Sequence, residues 1–123
     1  MKGSLEMGLD SYAFSVAKEE ANGNFDVAVQ MEEKHELHYW RKHYDLHDLM
    51  KDIWREKGGD DGENNFNCQF VALTLSDLNR IERYVIDQAF ADDEWFHDAD
   101  LAFLKKAREE INKGKVVYFW SWY

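Results

Sequence analysis

The sequence predicts a single α+β domain, a mainly antiparallel sheet packed with about three helices. Three observations carry that expectation. Segments near both ends and one in the middle have strand chemistry, and the stretches between them repeat their apolar residues at the helical period. The length of 123 residues, 45% of them hydrophobic, supplies one core and no more. Proline is absent, and no Ser/Gly-rich linker, internal repeat or low-complexity tract offers a point of division.

Met7-Gly8-Leu9-Asp10 has the look of a natural start, so Met1 to Glu6 is read as an added leader and residues 7–123 as the domain. From Leu9 to Ala17, Tyr12, Phe14 and Val16 alternate with small or polar residues, the pattern of a strand with one buried face. Asn22-Gly23-Asn24 reads as a turn, and Phe25, Val27 and Val29 then alternate with Asp26 and Ala28, which predicts a hairpin.

From about Glu36 to Lys57 the period becomes helical, with Tyr39, Leu46, Leu49, Met50 and Ile53 in one sector at about 100° per residue. Asp45, Asp48, Asp52 and Glu56 project from the other side. Gly58-Gly59 ends this helix as a left-handed cap would, and Asp60 to Asn67 follow as a polar loop.

Phe70 to Leu75 is short, apolar and rich in strand formers, and Ser76 has the chemistry of the next helix's N-cap. That helix runs to about Ala89, with Leu78, Ile81, Tyr84 and Val85 inward and Arg80, Glu82, Arg83 and Asp87 outward. After a loop from Phe90 to His97, a final helix opens at Asp98 or Asp100, turns Leu101, Leu104, Ala107 and Ile111 inward, and stops at Gly114. The run Val116 to Tyr123 is so apolar and aromatic that both its faces need cover, which places it centrally in the sheet. If the helices lie on one side only, a second subunit or the N-terminal segment must cover the other; homodimerisation is the expected corollary.

A formal charge of −10 disfavours nonspecific binding to nucleic acid or anionic membrane and points to a neutral or basic protein partner. Acidic clusters such as Asp92-Asp93-Glu94 read as solvated faces rather than a DNA-mimicking stripe. A lone cysteine, Cys68, excludes an internal disulfide framework and fits a reducing, cytoplasmic setting. No run approaches the roughly 18 apolar residues of a membrane span, and the start has no signal-peptide core.

Four of the five histidines lie between His35 and His47. His43 and His47 stand four apart, the helical spacing for two imidazoles on one metal, with His97, Cys68 or a carboxylate of Asp60, Asp61 or Glu63 as third ligand. Tyr44 occupies the place where a zincin motif has its glutamate, so the prevailing reading is of boundary histidines packed beside Trp40 and Trp54; no metal and no cofactor is implied. His35 and His38, among Glu32, Glu33 and Glu36, read as solvated. The tryptophans are core and rim residues, with a stacking platform for a base or sugar as the alternative.

Cys68 is a candidate nucleophile with His47 or His43 as base and Asn67 orienting a carbonyl; against this, a lone cysteine before an apolar strand is usually buried and inert. Arg41-Lys42 offers an anion or a partner carboxylate a bidentate contact, against local salt bridges to Glu36 or Asp45. Gly58 to Gly62 is acidic and lacks the P-loop lysine, and as a calcium loop it lacks the EF-hand order of ligands.

Met7-Gly8-Leu9-Asp10-Ser11-Tyr12, Tyr39-Trp40-Arg41-Lys42 with His47 five residues on, Asn67-Cys68, Leu73-Thr74-Leu75-Ser76-Asp77-Leu78 and the terminal Ser121-Trp122 together resemble a group of small uncharacterised proteins of bacteriophages, cyanophages and their hosts. Those begin Met-Gly-Leu-Asp and carry a Trp-Arg-Lys-x-x-x-x-His helix. The resemblance implies a phage or marine-bacterial origin and directs attention to Asp10, Trp40, Arg41, His47, Asn67 and Cys68. His43 stands where many of the group have asparagine, which weakens a metal site built on both histidines.

Two functions follow. The first is a noncatalytic, dimeric interaction domain that modulates a host or phage protein through its acidic surface and aromatic strand. The alternative is a small enzyme or an anion- or metal-binding protein with a pocket of Arg41, His43, His47 and Cys68, and Asp10 as a further catalytic candidate. The pocket rests on one expectation, that residues 36–57 form a single helix with the imidazoles at its seam with the sheet.

Overall fold

A computed structural model of the chain describes residues 8–21, 23, 35–59, 66, 68–87 and 93–123. Four strands, β1 (Asp10–Val16), β2 (His35–Arg41), β3 (Phe70–Leu73) and β4 (Val116–Trp122), form one sheet in the order β2-β1-β4-β3, every neighbouring pair antiparallel. Helices α1 (Tyr44–Glu56), α2 (Leu75–Ile86) and α3 (Asp93–Asn112) complete an α+β domain. The aromatic C-terminal run is an interior strand, as its two-sided apolarity requires.

The larger core lies between the sheet and all three helices. Leu46, Leu49, Met50 and Ile53 of α1, Leu78, Ile81 and Val85 of α2, and Phe103, Leu104 and Ala107 of α3 meet Ala13, Val71, Leu73, Val117 and Phe119 of the sheet. The inner side of β1 is therefore its small-residue side, Ser11, Ala13 and Ser15. Tyr12, Phe14 and Val16 face away from the helices. There a smaller cluster of Phe14, Val16, Ala72 and Tyr118 is covered in part by Ala21, which follows the short 3₁₀ turn Lys18–Glu20, and the Tyr118 hydroxyl donates to the carbonyl of Gly23 at 2.5 Å.

The expected single helix over residues 36–57 is corrected: 35–41 is extended, and the helix begins at Tyr44. Tyr39, placed in the helical sector, instead pairs with Tyr12 on the outer face, and a bulge interrupts β2. Ala13 pairs with His38 but Phe14 pairs with Glu36, so Leu37 is an extra residue in β2. Leu37 and Trp40 both reach the inner core, three apart, a spacing that imitates a helix inside a strand. Lys42, at φ 62°, and His43, at ψ 76°, then break the backbone before α1 starts. The partner of β1 is thus β2; the expected hairpin strand, Phe25 to Val29, lies outside the described residues.

Other boundaries also move. Thr74, not Ser76, caps α2, because Thr74 and Asp77 close a reciprocal capping box, each side chain accepting from the other's backbone N–H. Lys57 ties the same corner by donating to Asp77 at 2.6 Å and to the Ala72 carbonyl. Helix α3 starts by Asp93, five residues before the expected Asp98. Tyr84 is exposed rather than inward, while Leu78, Ile81 and Val85 are fully buried. Gly58, at φ 114°, ends α1 as its sequence promised, and Gly59 packs so closely that a Cβ there would fall 2.3 Å from the Trp54 ring.

Candidate functional site

His43 and His47 lie in a sealed seam between sheet and helices, not at a rim. Trp40, at the end of β2, points inward and donates its indole N–H to Asp100 Oδ1 at 2.8 Å. The second oxygen of Asp100 lies 2.7 Å from Nε2 of His43, the residue preceding α1. Asp100 is 1% exposed and His43 0%. An ionised carboxylate only accepts, so with Asp100 charged His43 carries its proton on Nε2. The His43 ring stacks on Phe96 at 4.1 Å and 4°, and Trp40 meets Phe103 edge-on at 4.9 Å. Asp100 therefore clasps α3 to β2 and to the start of α1.

His47, one turn further, engages a different strand. Its Nδ1 lies 3.0 Å from Ser121 Oγ of β4, with Phe66 and Tyr123 against the ring. Burial first, then the charge of Lys51, push its pKa down to about 4, so His47 is neutral at pH 7. Two further serines share this inner face. Ser15 donates to Glu110 of α3 at 2.6 Å, whereas the enclosed Ser11 Oγ, on β1 between Trp40 and Ser121 in register, has no hydrogen-bond partner among the described residues.

These positions correct the proposed pocket. His43 and His47 bond to different elements, and among the described residues no group of three His, Cys, Asp or Glu side chains is gathered as a metal site would need. Trp40 and Trp54 are core residues, not rim. His38, expected to be solvated, is half-buried with its ring 4.6 Å from Trp40. Arg41 lies on the opposite face of β2 from Trp40, 3.6 Å from Asp10, a cross-strand contact rather than a local one with Glu36 or Asp45. Cys68 is exposed, contrary to the buried expectation, at φ 60° with its N–H donated to the Ser121 carbonyl at 2.8 Å. Asn67, Asp60, Asp61 and Glu63 lie outside the described residues. What the sequence reading missed is Asp100, although its position relative to Leu104, Ala107 and Ile111 puts a carboxylate on the apolar stripe of α3, and that conflict was visible.

The accessible chemistry lies on the other face of the sheet. The register aligns Tyr39, Tyr12, Trp120 and Phe70 in one row across all four strands. Successive ring centroids are 5.0, 5.8 and 6.4 Å apart, within the range of favourable aromatic pairing. Beside this row the register places Arg41, Asp10 and Trp122 on one side and Glu36 on the other. The Tyr39 hydroxyl donates to Asp10 at 2.6 Å. Tyr39 is 41% exposed and Trp122 55%, whereas the Phe14, Val16 and Tyr118 half of this face is buried. Burial first, then the charges of Asp10 and Glu36, raise the pKa of the Tyr12 hydroxyl.

An open groove of about 730 Å³ lies at the other end of the sheet, lined by residues including Lys18, Leu73, Ser76 and Lys115; no described candidate side chain reaches it. No described helix is long and apolar enough to cross a membrane. Comparison of the chain with protein-family models, curated proteins and solved structures returns no match.

Proposed function

We propose that this chain is a noncatalytic protein-interaction domain, docking a host or phage protein through the open half of its outer sheet face. One observation carries the reading: His43, His47 and Asp100 are enclosed, while a row of half-buried rings ending in the exposed Tyr39 stays in reach of solvent. Aromatic rings at a partly open face offer large contact area at small entropic cost, the property of interface anchors. The lone cysteine supports a reducing, cytoplasmic setting. A second copy of the chain is the competing occupant, making the domain a homodimer; the charge of −10 works against two such faces meeting.

Affinity capture, followed by rebinding of each purified partner, tests the docking. Tyr39→Ser combined with Trp122→Ser is expected to weaken rebinding at least about tenfold with the fold retained. Ile86→Ser, on the exposed side of α2, is expected to leave it unchanged. Rebinding that survives loss of the two rings, or that is lost with Ile86, contradicts the reading.

The enzyme alternative retains one favourable observation: Cys68 is exposed, and its backbone bonds to Ser121, whose hydroxyl holds His47. It requires iodoacetamide to label Cys68 faster than a free thiol at neutral pH and His47→Gln to abolish the excess. With His47 enclosed and its Nδ1 held on Ser121, the expected result is ordinary thiol kinetics, unchanged by His47→Gln. A His47-dependent acceleration would favour the enzyme.

A further inference from the structure

We infer that the open half of the outer face takes a cationic segment of its partner, with arginine or lysine side chains laid over the Tyr39-Tyr12-Trp120 rings between the carboxylates of Asp10 and Glu36. The inference rests on the docking reading and specifies its chemistry. Aromatic faces carry negative quadrupole potential and attract guanidinium and ammonium groups within about 6 Å of a ring centroid. A row of such rings alone would suit many occupants. What selects a cation is the setting: Asp10 and Glu36 flank the row in register on the same face, and their charges are felt at the Tyr12 hydroxyl.

The face already accommodates one guanidinium, its own. Arg41 reaches Asp10 at 3.6 Å while remaining 60% exposed. It stands on the same edge as Tyr39, whose hydroxyl shares the Asp10 oxygen. With the guanidinium largely in solvent, the pair contributes little to stability and Arg41 exchanges readily for another cation. Arg41 is thus a resident competitor, and removing it is expected to tighten binding, a direction that a generic greasy patch does not give. The charge of −10 draws a basic segment in and opposes both a second copy of this chain and a polyphosphate backbone. In an extended segment alternate side chains point to one side, so a strand with a cation at every second position would present all of them to the rings.

The test uses the full chain and two-dimensional amide and indole spectra, titrated with an extended peptide of alternating arginine and threonine. Peptides with glutamine or glutamate in place of arginine, and oligothymidylate, serve as comparators. The arginine peptide is expected to shift the signals of Tyr12, Tyr39 and Trp120, with an affinity that falls as salt is raised. Glu36→Gln is expected to weaken it about threefold, Tyr39→Ser about fivefold, and Arg41→Gln to tighten it about threefold. Equal binding of the glutamine peptide would overturn the cationic preference while leaving the docking reading intact. So would a row that no peptide perturbs but that a captured partner still protects. Oligothymidylate moving the same signals, or a concentration-dependent dimer that protects them, would overturn both by naming a different occupant.

Discussion

Replacing Asp100 with alanine is expected to cost about 3–5 kcal/mol of folding stability. The carboxylate is 1% exposed and lies within hydrogen-bonding distance of the Trp40 indole N–H and His43 Nε2. Alanine removes the acceptor shared by the enclosed Trp40 indole N–H and His43 Nε2 and opens a cavity among Trp40, Phe96 and Phe103. A domain of this size has a total stability of about 5–15 kcal/mol, so much of the molecule would be unfolded at modest temperature. Asparagine in the same place is expected to cost less, about 1–2 kcal/mol. Its carbonyl still accepts from Trp40, and its amide can donate to His43 once that ring moves its proton to Nδ1. Equilibrium urea unfolding of the two variants gives the ranking; an alanine variant as stable as the parent would show that the clasp holds nothing.

Acid is expected to destabilise the domain through His47 before its carboxylates matter. The folded pKa is about 4, because the ring is enclosed between Phe66, Tyr123 and Ser121 and lies near Lys51. The unfolded imidazole titrates near its ordinary value of about 6.5. Between those values the unfolded chain binds the extra proton, so the contribution is fully present above pH 6.5 and falls away as pH drops toward 4. The difference amounts to about 3 kcal/mol. His38, also lowered mainly by burial, adds in the same direction. Glu82 and Glu110, lowered first by hydrogen bonds from Arg108 and Ser15, lose their contributions only at more acid pH. Urea midpoints measured from pH 7 to pH 4.5 should therefore decline in the parent, and His47→Gln should flatten most of the decline. An unchanged slope in that variant would place the acid sensitivity elsewhere.

Where the apolar period and the tertiary partner agreed, the sequence was readable. Leu46, Leu49, Met50 and Ile53 are the buried stripe of α1, and Val116 to Trp122 is an interior strand paired with β1 and β3. Misreading began where pairing overrode the period: Tyr39 fell in one helical sector with Leu46, Leu49, Met50 and Ile53, yet in its strand it pairs with Tyr12 on the face away from them. With it went the expected pocket, since Arg41 and Trp40 belong to opposite faces of one strand. The aromatic row was hidden for a related reason. Tyr12, Tyr39, Phe70 and Trp120 come from four separate segments, and only the register makes them neighbours. In sequence Asp100 reads only as a candidate helix opener, and its place on the apolar stripe of α3 goes unused.

The central claim is a division of labour, in which the inner seam holds the fold and the outer row meets the partner. Measuring both unfolding free energy and affinity for the arginine peptide in Asp100→Asn and Tyr39→Ser tests it most directly. The division predicts that Asp100→Asn lowers stability while the folded fraction binds as tightly as the parent, and that Tyr39→Ser weakens binding with stability nearly unchanged. An Asp100→Asn protein that stays folded yet loses affinity would contradict it, because the enclosed seam would then be part of the binding machinery.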